Sequence, residues 1–179
     1  MRITISGPPG SGKTTVCRML GESLGLDVVI SGNIFREMAK EHGMSISDFG
    51  RLCESDPTVD RSIDERVVEI ARNNDNVCLE GRLTAYMLTS HGIDAFRVLI
   101  VADPDERARR VAQREGGSVA QRRAEIEERE ACEAKRYLVY YGIDVRDRSV
   151  YDLVIDTTRI PADEVAGTII RKVKEWPRC

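Results

Sequence analysis

Residues 7–14 read Gly7-Pro8-Pro9-Gly10-Ser11-Gly12-Lys13-Thr14, a complete G-x-x-x-x-G-K-[ST] pattern. The chemistry of such a run is the gripping of polyphosphate. A short β-rich stretch with Ile3 and Ile5 precedes it, and Val16-Cys17-Arg18-Met19-Leu20 reads as helix after it. A strand ending in a glycine-rich turn that opens a helix points several backbone N–H groups at one spot. The helix dipole adds positive potential there. Gly7, Gly10 and Gly12 allow backbone angles and a close approach that a Cβ would obstruct. Lys13 is placed to reach the β- and γ-phosphates of a donor, and the Thr14 hydroxyl to bind Mg2+.

Further charged residues fall where they can serve such a site. Val77-Cys78-Leu79-Glu80 is an apolar strand ending in an acid, the position from which a carboxylate orients Mg2+, usually through water. Gly81 leaves space at the cleft edge, and Arg82 can reach a second anionic group. In Ser31-Gly32-Asn33-Ile34-Phe35-Arg36 the serine is expected to cap a helix. Arg36, about one turn inside that helix, is then expected to face the same cleft. Arg129, Glu133 and Arg136 are spaced by four and three and share one helix face. They form either a salt-bridge ladder or two arginines, oriented by the acid between them, that close over transferring phosphates. Arg107, Arg110 and Arg114 make a second stripe. Phosphoryl transfer asks mostly for positioning and neutralised charge. No Ser/His/Asp triad or catalytic base is visible, and His42 and His91 are isolated. A phosphate acceptor is already anionic and needs no base.

The elements that must position these residues alternate. Strands are expected at about 2–6, 27–30, 77–80, 96–101 and 152–156, separated by helical patterns, which implies a parallel sheet covered on both faces. Asp56-Pro57, Asp103-Pro104 with Glu106 as a capping-box acid, and Pro161 mark helix starts. Residues 31–73 insert helical material in at least two pieces. Residues 113–141 hold a Gly116-Gly117 tip and a helix from Ser118, through about Arg136, whose one large apolar residue is Ile126. These two segments are expected to clamp the loop from either side.

Composition narrows the partners. The 179 residues suit one domain, and apolar residues at 41% with charged residues at 32% suit a globular protein. No run nears the roughly 20 apolar residues of a membrane span, and the chain enters its first strand at once, so a cytoplasmic protein is expected. Five scattered cysteines without C-x-x-C read as reduced thiols. Arginine outnumbers lysine 22 to 5. Eleven arginines lie between Arg97 and Arg148, yet with Lys135 they face eleven carboxylates, a net of +1. That balance argues against a nucleic-acid surface.

On these motifs the chain resembles the nucleoside-monophosphate kinases, and among them the short archaeal type of cytidylate kinase. Ser31 to Arg36 is similar to that family's S-G-x-x-[YF]-R and Glu80-Gly81-Arg82 to its D-G-R. Arg129, Glu133 and Arg136 resemble its R-x-x-x-D-x-x-R, with Glu for Asp. The resemblance implies a P-loop α/β fold, strand order 2-3-1-4-5, with core segments 1–30, 74–112 and 142–179. It further implies an acceptor-binding insert at 31–73, with a lid and its following helix at 113–141. It implies transfer of the ATP γ-phosphoryl to CMP or dCMP with Mg2+, by a monomer. ATP would meet residues 7–14, Thr15, Thr157 and Thr158; Mg2+ would meet Thr14 and, through water, Glu80. The acceptor would meet Ser31, Gly32, Arg36, Gly81, Arg82, Arg129, Glu133 and Arg136. Lys13, Arg110, Arg114, Arg129 and Arg136 would act on the moving group. Leu83 stands where bacterial relatives carry a base-reading aspartate, which leaves Asp48, Arg51, Asp60, Arg61 and Asp64 as base readers. The rival readings are a kinase of UMP, AMP or a shikimate-like alcohol, or an assembly ATPase that ignores monophosphates.

Overall fold

The computed structural model describes residues 1–177, apart from the side chains at 46, 47, 54 and 60. Five strands form one parallel sheet: β1 (Arg2–Ser6), β2 (Asp27–Ile30), β3 (Val77–Glu80), β4 (Phe96–Val101) and β5 (Leu153–Asp156). Their order across the sheet is β2-β3-β1-β4-β5, as the resemblance implied. Register pairs Ile5 with both Glu80 and Val98, which puts Glu80 beside the end of β1. β5 begins one residue later than expected.

Alternation along the buried strands supplies two cores. Val77 and Leu79 face one side, where they join Val67, Leu88 and Phe49; Cys78 faces the other with Ile3, Ile5 and Val98. The second side is covered by α1 (Lys13–Leu24) and by α8 (Ala162–Glu175), through Val16, Leu20, Val165 and Ile169. Parallel strands buried on both faces need such near-continuous apolar runs. Cys17 and Cys78, both buried, meet here with their sulfurs 3.0 Å apart; the expected thiol at Cys179 lies outside the described residues.

Residues 31–73 form three helices, α2 (Ser31–Glu41), α3 (Ile46–Ser55) and α4 (Pro57–Asn73). The Asp56 carboxylate accepts from Thr58 N at 2.9 Å and caps α4, with Pro57 at its first position. Ser31 does not cap α2. That place falls to Ile30, and the serine is the first helical residue. α5 (Thr84–Ser90) follows β3.

After β4, α6 (Pro104–Glu115) is capped by Asp103, which accepts from Asp105 N at 2.8 Å. The expected capping box is incomplete: the Glu106 carboxylate turns along the helix to Arg109 and Arg110. The chain then turns at Gly116 and Gly117, both at positive φ, into α7 (Val119–Tyr141). α7 is longer than the sequence suggested, and its last turns carry what the first lack. Tyr137 is buried in the core with α4 and β3, and Ile126 seats against Ala108 and Val111 of α6. Gly142 in the left-handed conformation ends the helix, its N–H bonded to Leu138 O.

Adjacent residues of this extension test which face is inward. Tyr137→Ala is expected to cost about 3 kcal/mol in urea denaturation, as for other buried aromatics. Leu138→Ala, at a position 56% exposed, should stay within about 0.5 kcal/mol.

Candidate active site

The glycine-rich loop joins β1 to the N-terminus of α1, whose first backbone N–H groups have no intrahelical partner. Its carbonyls are held from other sides. Pro8 O accepts from Lys13 Nζ at 3.0 Å, and Pro9 O from Arg107 Nη1 at 3.2 Å. Ser11 O accepts from Thr157 Oγ1 at 3.1 Å and Arg110 Nη1 at 3.4 Å. Gly10 lies so close on Arg107 that a Cβ would stand 2.7 Å from its carbonyl oxygen. With φ at +80° as well, the position admits glycine alone without strain.

Lys13 and Thr14 meet Glu80 at the end of β3. Lys13 Nζ is 3.8 Å from Glu80 Oε1, and Thr14 Oγ1 donates to Oε2 at 3.2 Å. Burial depresses the Lys13 ammonium to about 8, with the Glu80 charge opposing the shift. A hydroxyl and a carboxylate are hard oxygen donors of the kind Mg2+ prefers, and they face each other beside the loop. The pair fits the expected metal position.

Beyond Glu80, Gly81 is shaped by a neighbour. A Cβ there would fall 2.4 Å from Ser31 Oγ and 2.9 Å from Thr84 Cγ2. The ends of β2 and β3 are thus pressed together, and Ser31 serves this contact instead of the cap. Arg82 turns toward α7, where Nε donates to Glu133 Oε2 at 2.7 Å. From the other side Arg129 Nε donates to Glu133 Oε1, also at 2.7 Å. Burial works against a charged Glu133, but the Arg82 and Arg129 guanidiniums outweigh it and hold the carboxyl below its ordinary range. Arg82 is mostly buried in this arrangement, whereas the Arg129 side chain is 65% exposed. Arg136 follows one turn on, its guanidinium 5.5 Å from the Tyr137 ring centre.

The sequence pattern of the Cytidylate kinase-like family matches residues 2–159. The chain belongs to that family. It is 47% identical to a cytidylate kinase of Methanococcoides burtonii over 89% of each chain. A cytidylate kinase of Archaeoglobus fulgidus is 39% identical, covering 97% of this chain and 95% of its own. Among solved structures, shikimate kinase from Acinetobacter baumannii in complex with shikimate superposes with a TM-score of 0.65. At 19% identity, over 97% of this chain and 93% of that one, it shares the fold.

In this cytidylate kinase-like chain the remaining expected residues divide between places. A cavity of about 510 Å³ opens beside the loop, walled by Ser11, Gly12, Thr15, Arg110, Thr157, Thr158 and Ile160, among others. Arg110, expected on the moving phosphoryl group, is committed here: Nη2 donates to Thr157 O at 2.6 Å and Nε to Glu106 at 2.8 Å. Arg114 pairs with its neighbour Glu115 on the exposed surface. Arg36 is exposed and bonds Asn33 on its own helix. The structure does not gather these three arginines around Glu133.

Of the expected base readers, Asp48 pairs with Arg51 at 3.3 Å on the exposed face of α3. Asp64 accepts from the Tyr141 hydroxyl at 2.6 Å. Arg61 and Asp64 line a second cavity, of about 490 Å³, whose walls include His91 and Val150 but not Ser31, Gly81 or Arg82. The side chain of Asp60 lies outside the described residues. Arg107 and Glu130 were not singled out for the role they have, an ion pair at 2.9 Å. The basic stripe that holds Arg107 was legible, but its pairing across two helices with Glu130 was not.

The depressed Lys13 sets a pH dependence. Below about pH 8 its ammonium is charged with or without polyphosphate, so affinity stays level. Above that, the free site has lost a proton that bound phosphates would retain, and affinity for a nucleoside triphosphate is expected to weaken by up to about tenfold per pH unit. Titration calorimetry from pH 7 to 9.5 checks this, and Lys13→Met should bind more weakly with the slope abolished.

Proposed function

We propose that the chain transfers the γ-phosphoryl group of ATP to CMP or dCMP, giving ADP and the diphosphate. The observation that carries this reading is the buried Glu133 held between Arg82 and Arg129 at 2.7 Å each, beside the phosphate loop. Phosphate would meet two oriented guanidiniums there, in a position facing the donor. The family's cytidylate kinases supply the identity of the acceptor.

In the proposed mechanism the loop N–H groups and Lys13 hold the donor's phosphates, while the cavity beside Thr157 takes its nucleoside. Thr14 and, through water, Glu80 would hold Mg2+, which when bound offsets the charge of the donor phosphates. Arg82 and Arg129, spaced by Glu133, keep the acceptor phosphate in line with the donor, and Ser31, Gly32 and Gly81 form its floor. We assign residues 31–73 to the acceptor-binding segment, and 113–141 to the lid and its following helix. Arg36 is carried by the acceptor-binding segment and Arg114 stands at the start of the lid, so domain closure brings them inward, while Arg136 already stands one turn from Glu133 on α7. Water is then excluded before the phosphoryl group moves. Arg110, already pinned to Thr157, serves the donor side. Such an enzyme works on small soluble nucleotides, which fits a cytoplasmic monomer without nucleic-acid partners.

A coupled assay of ADP release with CMP, dCMP, UMP, AMP and GMP tests the assignment. Cytidine nucleotides should give the largest kcat/KM. Release that is indifferent to every monophosphate would instead indicate an ATPase. Arg129→Ala and Arg136→Ala are each expected to lower kcat by about 10²-fold or more, and Arg82→Ala to raise the KM for CMP.

A further inference from the structure

Arg107 belongs by sequence to the arginine stripe of α6, yet it does not point at a ligand. Its side chain is 7% exposed, and its one guanidinium joins three parts of the chain. Nε donates to Ala102 O at 3.2 Å, just beyond β4. Nη1 donates both to Pro9 O of the phosphate loop, at 3.2 Å, and to Glu130 Oε2 of α7, at 2.9 Å. The Arg107 backbone is also the surface on which Gly10 rests. A lysine offers no planar fork and is not equivalent at such a junction.

Glu130 lies between Arg129 and Glu133. On α7, residues 126, 130, 133 and 137 recur at helical spacing along one face, and each has a seat. Ile126 meets Ala108 and Val111, Glu130 meets Arg107, Glu133 meets Arg82, and Tyr137 enters the core. Arg82 follows β3 and Arg107 follows β4, while the phosphate loop follows β1, the strand between them. α7 therefore spans the loop, tied down on either side by one partly buried ion pair.

We propose that Arg107 is a positioning residue that sets the phosphate loop and α7 in one register, through Pro9 O and Glu130. The donor-holding loop and the helix that carries Arg129 and Arg136 then move as one body, and the in-line geometry is fixed before substrates arrive. The inference rests on the kinase reading for its effect on turnover, but not for the coupling itself. A misplacement of about 1 Å between reacting groups is enough to slow such a step greatly.

Because truncation of a buried cation threatens the fold, the test uses Glu130→Gln and Arg107→Lys, with circular dichroism to confirm folding. Each is expected to lower kcat at least about fivefold while the KM for ATP changes less than about twofold. The double variant should be no slower than the worse single one, since both break the same link. A kcat loss below that threshold in either variant, or losses that multiply in the double, overturns the proposal. Amide hydrogen exchange supplies a readout independent of acceptor. Glu130→Gln should raise exchange in residues 10–12 and 126–137 together, and a rise confined to α7 overturns it. If the wild type phosphorylates no monophosphate, the functional reading fails while this exchange result still decides the coupling.

Discussion

A site made for an anion must carry uncompensated positive charge when it is empty, and here that demand is met by one buried contact. Lys13 lies under the loop with Glu80 3.8 Å away and the Pro8 carbonyl at 3.0 Å. Burial still pulls its ammonium down to about 8, so the compensation is partial. An incoming triphosphate replaces a weak counter-charge with a strong one, which is where binding free energy comes from. The loop meanwhile keeps its shape because its carbonyls are bonded to Lys13, Arg107, Arg110 and Thr157.

The arginines accordingly divide their labour. Arg107 and Arg110 act on the protein's own carbonyls, as scaffolding for the loop. Arg82 is held by Glu133, which in turn orients the more exposed Arg129. A carboxylate gripping two guanidiniums keeps both from collapsing onto the loop and leaves their outer N–H groups for a ligand. The same acid also limits repulsion between the cations while the site is empty.

The strands were legible almost to the residue because they are rich in β-branched and apolar residues and are bounded by glycine, proline and charge. The phosphate loop and Glu80 were legible because their spacing encodes local geometry. What could not be read is long-range. Ser31 looked like a cap by type, but the tight packing of Gly81 gives it another place. α7 looked too polar to bury a face, since its inward positions include Glu130 and Glu133, whose partners lie on Arg107 and Arg82. Helix periodicity counts such acids as solvent-facing. Only the fold shows that a buried ion pair can take the place of an apolar contact, and Tyr137 then finishes the face one turn later.

The use of arginine at Arg82 and Arg107 follows from the same placement. A buried ammonium can shed its proton to escape desolvation, as the depression of Lys13 demonstrates, whereas a guanidinium cannot in this range. Arg82 and Arg107 are mostly buried, with carboxylates and, for Arg107, backbone carbonyls as partners. Lysines there would offer no planar fork to Glu133 and Glu130. The other four lysines are all exposed, where water makes the distinction immaterial. The one buried ammonium is kept at the point where a proton's arrival with the ligand strengthens the grip, and the fixed charges are kept where geometry must not depend on pH.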